Sequence, residues 1–169
     1  MSTLNDVVIN KLSGGLGRRN PEQDMVSGLL FDGVSTTKLA LDKIERLASL
    51  EDAESLGITA DYDVNGQSAY YQIQQFFRMN PSGDLYIMKV KALSYQEVAQ
   101  RALEMQEKAN GNIRQMAVIC SSETTFAQTK SALAIAQEQA DLAYTDYMPF
   151  EIILEGKGFD TAVEANSPS

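Results

Sequence analysis

Short apolar runs alternate with longer amphipathic stretches along most of this chain. Strand-like runs lie at residues 28–33, 85–90, 113–120 and 150–155, and segments with helical periodicity separate them. Parallel strands need long crossover connections, which are usually helices. The sequence therefore predicts an α/β fold, a single three-layer domain with a mostly parallel or mixed central sheet covered by helices.

Three helices are predicted because their apolar residues recur at spacings of three and four. They are expected over residues 67–79, 95–110 and 129–144. A shorter helix is predicted after Ser49, which precedes Asp52 by three positions as in a capping box, and Gly57 is its natural stop.

These elements place the domain at residues 21–158. Residues 159–169 are small and polar, so we expect a flexible tail or a truncated linker. Residues 1–20 are predicted to form an N-terminal strand or arm followed by a glycine-rich loop.

The N-terminal arm carries the residues that we expect to contact another subunit. They are Val7, Val8 and Ile9 of the β-branched run, Gly14, Gly15 and Gly17 of the loop, and the following Arg18 and Arg19. The β-branched run is uncharged and offers its backbone N–H and C=O groups to the edge of a neighbouring sheet.

The same glycines invite comparison with a phosphate-binding loop, since clustered glycines let backbone N–H groups approach an anion. A phosphate loop ends in Gly-Lys-Ser/Thr, and a dinucleotide loop opens directly into a helix. Here Arg18, Arg19, Asn20 and Pro21 follow instead. A loop without a ligand is the favoured interpretation.

A calcium loop is suggested by Asp61 and Asp63, which are followed by Asn65 and Gly66. An EF-hand needs a bidentate glutamate at its twelfth position, and counting from Asp61 that position is Gln72. We therefore expect an ordinary solvated loop there and no metal.

Catalytic chemistry is disfavoured by composition. The chain has no histidine, which removes the commonest general base and metal ligand. Its one cysteine, Cys120, follows an apolar run and is expected to be a buried thiol. We expect no enzymatic activity and no cofactor.

Charge and hydropathy exclude two further classes of partner. The formal net charge is −9 and no window gathers several lysines and arginines, so nucleic acid is not an expected partner. No apolar stretch approaches ~20 residues and no signal peptide is visible, so we expect no membrane insertion and no export by a leader.

Four stretches of the sequence stand in an order that resembles a known family. They are residues 28–33, 47–58, 76–77 with 83–90, and 147–156. Their order resembles the first domain of contractile tail sheath proteins of phages and related injection particles, especially the short-sheath type. The resemblance spans most of residues 7–159.

The resemblance implies a structural virion protein. Such a subunit assembles with copies of itself into rings around a tail tube protein, in the cytoplasm of the bacterial host and then in the virion tail or injection particle. Sheath subunits are commonly about twice as long, so this chain is either a fragment of a longer subunit, which we favour, or a reduced relative that assembles differently.

Two other functions stay open. One is a non-contractile phage or scaffold domain that binds a partner through its edge strand. The other is a nucleotide-binding or hydrolytic α/β enzyme, which would use the crevice beyond the carboxyl ends of the strands.

Overall fold

The computed structural model describes residues 26–33, 36, 38–63, 68–91, 94–122 and 125–158. The strands are β1 (Val26–Asp32), β2 (Ile44–Leu47), β3 (Asp84–Val90), β4 (Gln115–Ile119) and β5 (Glu151–Leu154). The helices are α1 (Leu50–Ser55), α2 (Ala69–Met79), α3 (Tyr95–Gln100), α4 (Ala102–Lys108) and α5 (Phe126–Thr145), with a 3₁₀ turn at Ala60–Tyr62.

The strands form a mixed sheet in the order β2-β3-β1-β4-β5. Strands β3, β1, β4 and β5 are parallel, and β2 joins β3 antiparallel at one edge. Strand β1 is central, and every residue after Val26 in it is buried, as a strand covered on both faces requires. The predicted α/β class with a mostly parallel or mixed sheet is confirmed.

Helices cover both faces of the sheet because successive side chains of a strand point to opposite sides. Leu30 of β1 belongs to a core with residues of α3, α4 and α5, including Tyr95 and Met105. Its neighbours Leu29 and Phe31 belong to a second core with residues of α1 and α2. Burial of each such side chain contributes about 1.5–3 kcal/mol.

Local predictions that rest on short-range signals are confirmed. Ser49 and Asp52 form a capping box at the start of α1, and Gly57 after it has a φ of 86°. Helix α2 buries Ile73 and Phe77 on its predicted face. The Cys120 thiol is buried as expected.

The helix predicted over residues 95–110 is divided at Arg101. The Arg101 N–H donates to the carbonyl of Val98, three residues back, which tightens the chain by one 3₁₀ step. The Arg101 guanidinium also contacts Asp42 at 2.6 Å, in the segment before β2. The helical periodicity of the sequence gives no indication of this tertiary contact.

Helix α5 begins earlier than residue 129. Thr125 caps it and forms a capping box with Gln128, a Thr-x-x-Gln signal that the apolar spacing alone does not reveal. The arm predicted at residues 1–20 and the tail predicted at residues 159–169 lie outside the described residues.

Candidate assembly surface

The two edges of the sheet differ in charge, and the β2 edge is strongly charged. Lys43 pairs with Glu45 at 2.5 Å, and Arg46 holds the Asp84 carboxylate through two nitrogens. The hydrogen bonds to Asp84 and its charge raise the pKa of Arg46. Charged side chains on an edge strand disfavour pairing with another sheet.

The β5 edge carries one charged residue, Glu151, followed by three apolar ones. Its run of Ile152, Ile153 and Leu154 has no charge, and Ile153 is 55% exposed. The N–H groups of Glu151 and Glu155 bond to carbonyls on the β4 side. Because backbone groups alternate along a strand, those of Ile152 and Leu154 point away from β4. Within the described part of the chain, no strand pairs with this outer side of β5.

An apolar cavity flanks the β5 edge on the α5 side. Its volume is about 240 Å³, and Leu133 and Phe126 of α5 line it together with Leu154. Leu133 is 59% exposed although it lies on a helix that packs against the sheet. A strand added to β5 would bury Leu133 and Ile153, one on each face.

The crevice at the carboxyl ends of β1 and β4 is where open α/β sheets bind ligands, because the crossovers on its two sides go to opposite faces. Asp32 ends β1 there. Its carboxylate accepts hydrogen bonds from the Ser121 N–H at 2.7 Å, the Ser121 hydroxyl at 2.8 Å and the Ser122 N–H at 3.1 Å. The carboxylate thus ties the ends of the two strands together.

Lys89 lies close to this crevice, at the end of β3. Its side chain is buried, its Nζ donates to the Thr36 hydroxyl at 3.3 Å, and it stands 5.7 Å from the ring centre of Tyr62. Burial lowers the pKa of Lys89. Burial, together with the charges of Asp32 and Asp63, raises the pKa of Tyr62 to about 12.

A glycine is required beside this pair. A Cβ atom on Gly33 would stand 2.5 Å from the Tyr62 hydroxyl oxygen and 3.1 Å from the Lys89 Cδ atom. The lysine, the tyrosine and the strand end therefore pack directly on one another.

One of the two carboxylates considered for calcium, Asp63, has a structural role. Asp63 accepts hydrogen bonds from the N–H groups of Tyr70 and Tyr71, at 2.8 and 2.7 Å, and so caps the start of α2. Asn65 and Gly66 lie outside the described residues. Within the described ranges, no group of three or more metal-ligating side chains is placed to hold an ion.

None of the helices in the described part of the chain combines the length and apolar character needed to cross a membrane.

The residues predicted to contact a neighbouring subunit lie outside the described residues. They are Val7, Val8, Ile9, Gly14, Gly15, Gly17, Arg18 and Arg19. Ile153 and Leu133 are exposed apolar residues of the described domain, and the sequence did not single them out. The run at residues 152–154 has no alternation of polar and apolar residues. Its sequence therefore does not indicate that this strand lies at an edge of the sheet.

These features define a three-layer α/β domain in which the β2 edge is charged and the β5 edge carries an exposed apolar run at residues 152–154. The chain matches the model of the family described as DUF2586, N-terminal domain, over residues 4–167, and it belongs to that family. Comparison with curated proteins gave no match, and comparison with solved structures gave none either.

Proposed function

We propose that the protein is a structural subunit, or part of one, of a contractile tail sheath of a phage or phage-like injection particle. It assembles with copies of itself into rings around a tail tube protein. The exposed apolar run at residues 152–154 on the edge strand β5 is the observation that carries this proposal, because a monomer normally blunts such an edge. The part of the proposal that concerns contraction rests on the resemblance of the four sequence stretches to contractile tail sheath proteins.

Assembly occurs by strand addition in this proposal. Val7, Val8 and Ile9 of one subunit pair with residues 152–154 of the next, at the usual strand spacing of ~4.8 Å. Both runs are uncharged, and their lengths match. Alternate side chains of the added strand cover Ile153 on one face and enter the Leu133 cavity on the other.

The arm is long enough to reach a neighbour. Residues 10–25 connect the β-branched run to β1, and an extended chain of this length spans roughly 50 Å. A domain of this size has a radius of gyration of only about 14 Å. The arm can therefore tether two subunits while the lattice around the tube shortens and the other contacts between subunits change.

The test compares two substitutions in the complete chain. Ile153→Lys places a charge on the open edge, and Tyr71→Lys is the matched control, because both residues are 55% exposed and apolar but Tyr71 lies on α2. We expect the unaltered protein and the control to form rings or tubes in negative-stain images. Ile153→Lys should stay monomeric in sedimentation and keep its circular dichroism spectrum.

Two results would contradict this proposal. One is an unaltered protein that stays monomeric at every concentration, with or without a tail tube protein. The other is an Ile153→Lys variant that assembles as well as the control. Assembly through the same edge without rings or tubes would instead support the non-contractile scaffold.

A nucleotide-binding enzyme is the second candidate, and the position of Lys89 at the carboxyl ends of the strands favours it. A ligand that binds only the folded state must raise the melting temperature. Under the sheath proposal, millimolar ATP, phosphoesters or calcium leave the melting temperature unchanged. A saturable rise of several degrees with ATP, abolished by Lys89→Met in a variant that still folds, would favour the enzyme.

A further inference from the structure

The turn after α5 holds a tyrosine in a conformation that usually needs glycine. The N–H of Tyr147 donates to the carbonyl of Tyr144 at 3.2 Å, and the N–H of Met148 donates to the carbonyl of Ala143 at 2.9 Å. These two bonds end the helix as a Schellman motif, which places Tyr147 in the left-handed region at a φ of 60°. Helix α1 ends with the same pair of bonds, but there Gly57 occupies the equivalent position.

Burial within its own subunit does not offset the strain at Tyr147. A bulky side chain in the left-handed region costs free energy that glycine avoids. The Tyr147 side chain nevertheless lies in solvent, since the residue is 93% exposed, and Tyr144, one turn earlier, is 75% exposed. Both aromatic rings therefore project from one end of α5. A strained residue at such exposure indicates a contact with another molecule, and tyrosine is enriched among the residues that anchor interfaces.

A groove in the opposite helical layer can receive such a ring. It lies between α2 and the first halves of β1 and β4, and its volume is about 430 Å³. Leu29 and Ala117 form its floor, and Phe76 and Met79 of α2 form one wall. Met79 is 76% exposed and Ala117 only half-buried, so this face carries apolar surface open to a partner.

The lining of the groove suits a tyrosine side chain. None of its described lining residues is charged, and its rim carries the amide side chains of Gln72, Gln75 and Gln115. An aromatic ring can cover the apolar floor while its hydroxyl bonds to one of these amides. A charged side chain would lose solvation here without gaining an ion pair.

We propose that Tyr147 of one copy of the chain inserts into this groove of a second copy. Helices α5 and α2 pack on opposite faces of the sheet, and the exposure of Tyr147 means that it does not fill the groove of its own subunit. Each copy thus offers its tyrosine to one neighbour and its groove to another. Head-to-tail contacts of this kind build rings or helical stacks.

Charge favours a second copy as the occupant. The chain has a net charge of −9, so copies can approach closely only where acidic residues do not face each other. The uncharged groove meets this condition. Asp146 precedes Tyr147, Arg78 precedes Met79 of the groove wall, and both are exposed. Insertion of the tyrosine brings these opposite charges towards each other, which helps to orient the two copies.

This inference rests on the part of the proposed function in which copies of the chain assemble, and it adds a second contact to the one at β5. A single ring buries far less area than a stable interface between two proteins needs. The tyrosine contact therefore acts together with strand addition, because linked contacts reinforce each other.

Photo-crosslinking in the complete, assembled chain tests the contact. Tyr147 is replaced by p-benzoylphenylalanine, which keeps an aromatic ring and reacts with nearby C–H bonds. The control carries the same probe in place of Tyr71, which is 55% exposed on α2 and outside the groove. We expect the Tyr147 probe to join two chains at residues 76–79, as located by peptide mapping, with a yield at least fivefold above that of the control.

Three results of this experiment would overturn the inference. They are a bond from the Tyr147 probe to a different region of the second chain, a bond within one chain, and a bond formed only with another protein. The last result would assign the tyrosine to a different partner.

The comparison with Gly57 supplies a second test. Tyr147→Gly relieves the left-handed strain, so we expect the melting temperature to rise by roughly 2–4 °C. The same change removes the ring and should weaken assembly at least tenfold in sedimentation, whereas Tyr147→Phe keeps the ring and should retain most of the assembly. Because the glycine variant is the more stable one, its weaker assembly does not come from misfolding.

The outcomes separate this inference from the proposed function. A Tyr147→Gly variant that assembles as well as the unaltered protein would overturn the tyrosine contact and leave strand addition at β5 standing. An unaltered protein that stays monomeric at every concentration would contradict the proposed function, and this inference with it.

Discussion

The carboxylate of Asp32, at the end of β1, accepts hydrogen bonds from both the N–H and the hydroxyl of Ser121, just beyond β4. Two adjacent parallel strands are thereby joined at their carboxyl ends, where no ladder bond holds them. The Ser122 N–H donates to the same carboxylate. Asp32 therefore bridges the carboxyl ends of β1 and β4 with the protein's own hydrogen bonds.

Replacement of Asp32 by alanine should lower the free energy of unfolding by about 2–4 kcal/mol, because the donors of Ser121 and Ser122 lose their acceptor. Asp32→Asn keeps one acceptor oxygen and should cost less. Urea denaturation measures both, and Asp61→Asn on the exposed 3₁₀ turn is the control. An Asp32→Ala variant as stable as the control would show that this carboxylate does not tie the strands.

The raised pKa of Tyr62 predicts a loss of stability in alkali. The folded state keeps the Tyr62 proton up to a pKa of about 12, whereas the unfolded chain releases it near 10.0. The folded state thus binds more protons in this window, so the contribution of Tyr62 is complete below pH 10 and falls as pH rises to 12.

Tyr62→Phe should therefore reduce the loss of unfolding free energy between pH 10 and 12 by about 1–2 kcal/mol. Denaturation at a series of pH values between 9 and 12 measures the slope for both proteins. Parallel profiles for the variant and the unaltered protein would contradict the buried position of this hydroxyl.

Gln106 should be among the most sensitive buried polar residues. Its amide nitrogen donates to the carbonyls of Ile113 and Met148, each at 3.0 Å, and its oxygen accepts from the Ile113 N–H at 3.2 Å. Gln106→Leu keeps the volume but leaves these backbone groups unsatisfied, so we expect a loss of about 2–4 kcal/mol. Gln137→Leu, on the exposed side of α5, should cost little in the same thermal or urea unfolding experiment.

The cap of α2 predicts a difference between two nearby aspartates. Asp63 accepts from the N–H groups of Tyr70 and Tyr71, while Asp61 is exposed. Asp63→Ala should lower the free energy of unfolding by about 1 kcal/mol, as loss of an N-terminal cap does elsewhere. Asp61→Ala should have no measurable effect, and equal losses would show that the cap does not stabilise the helix.

Interactions between close neighbours in sequence explain what could be predicted for the helices. The Ser49 capping box joins Ser49 with Asp52, and the Gly57 stop bonds back to Glu54, each across three positions, so both can be recognised in the sequence. The cap that Asp63 provides for α2 crosses a longer gap and was missed. The division at Arg101 was missed as well, because it accompanies a contact with Asp42, 59 positions away.

The sequence by itself determined the α/β class, the four apolar strands and the approximate helices, since each rests on periodicity within a short window. Only the tertiary structure decided that β2 and β5 lie at the edges, and so that the uncharged run around Ile153 is open. It also decided that Asp32 meets Ser121 across 89 positions. Such contacts depend on strand order and on the direction of each crossover, which arise from packing of the whole chain and leave no local pattern.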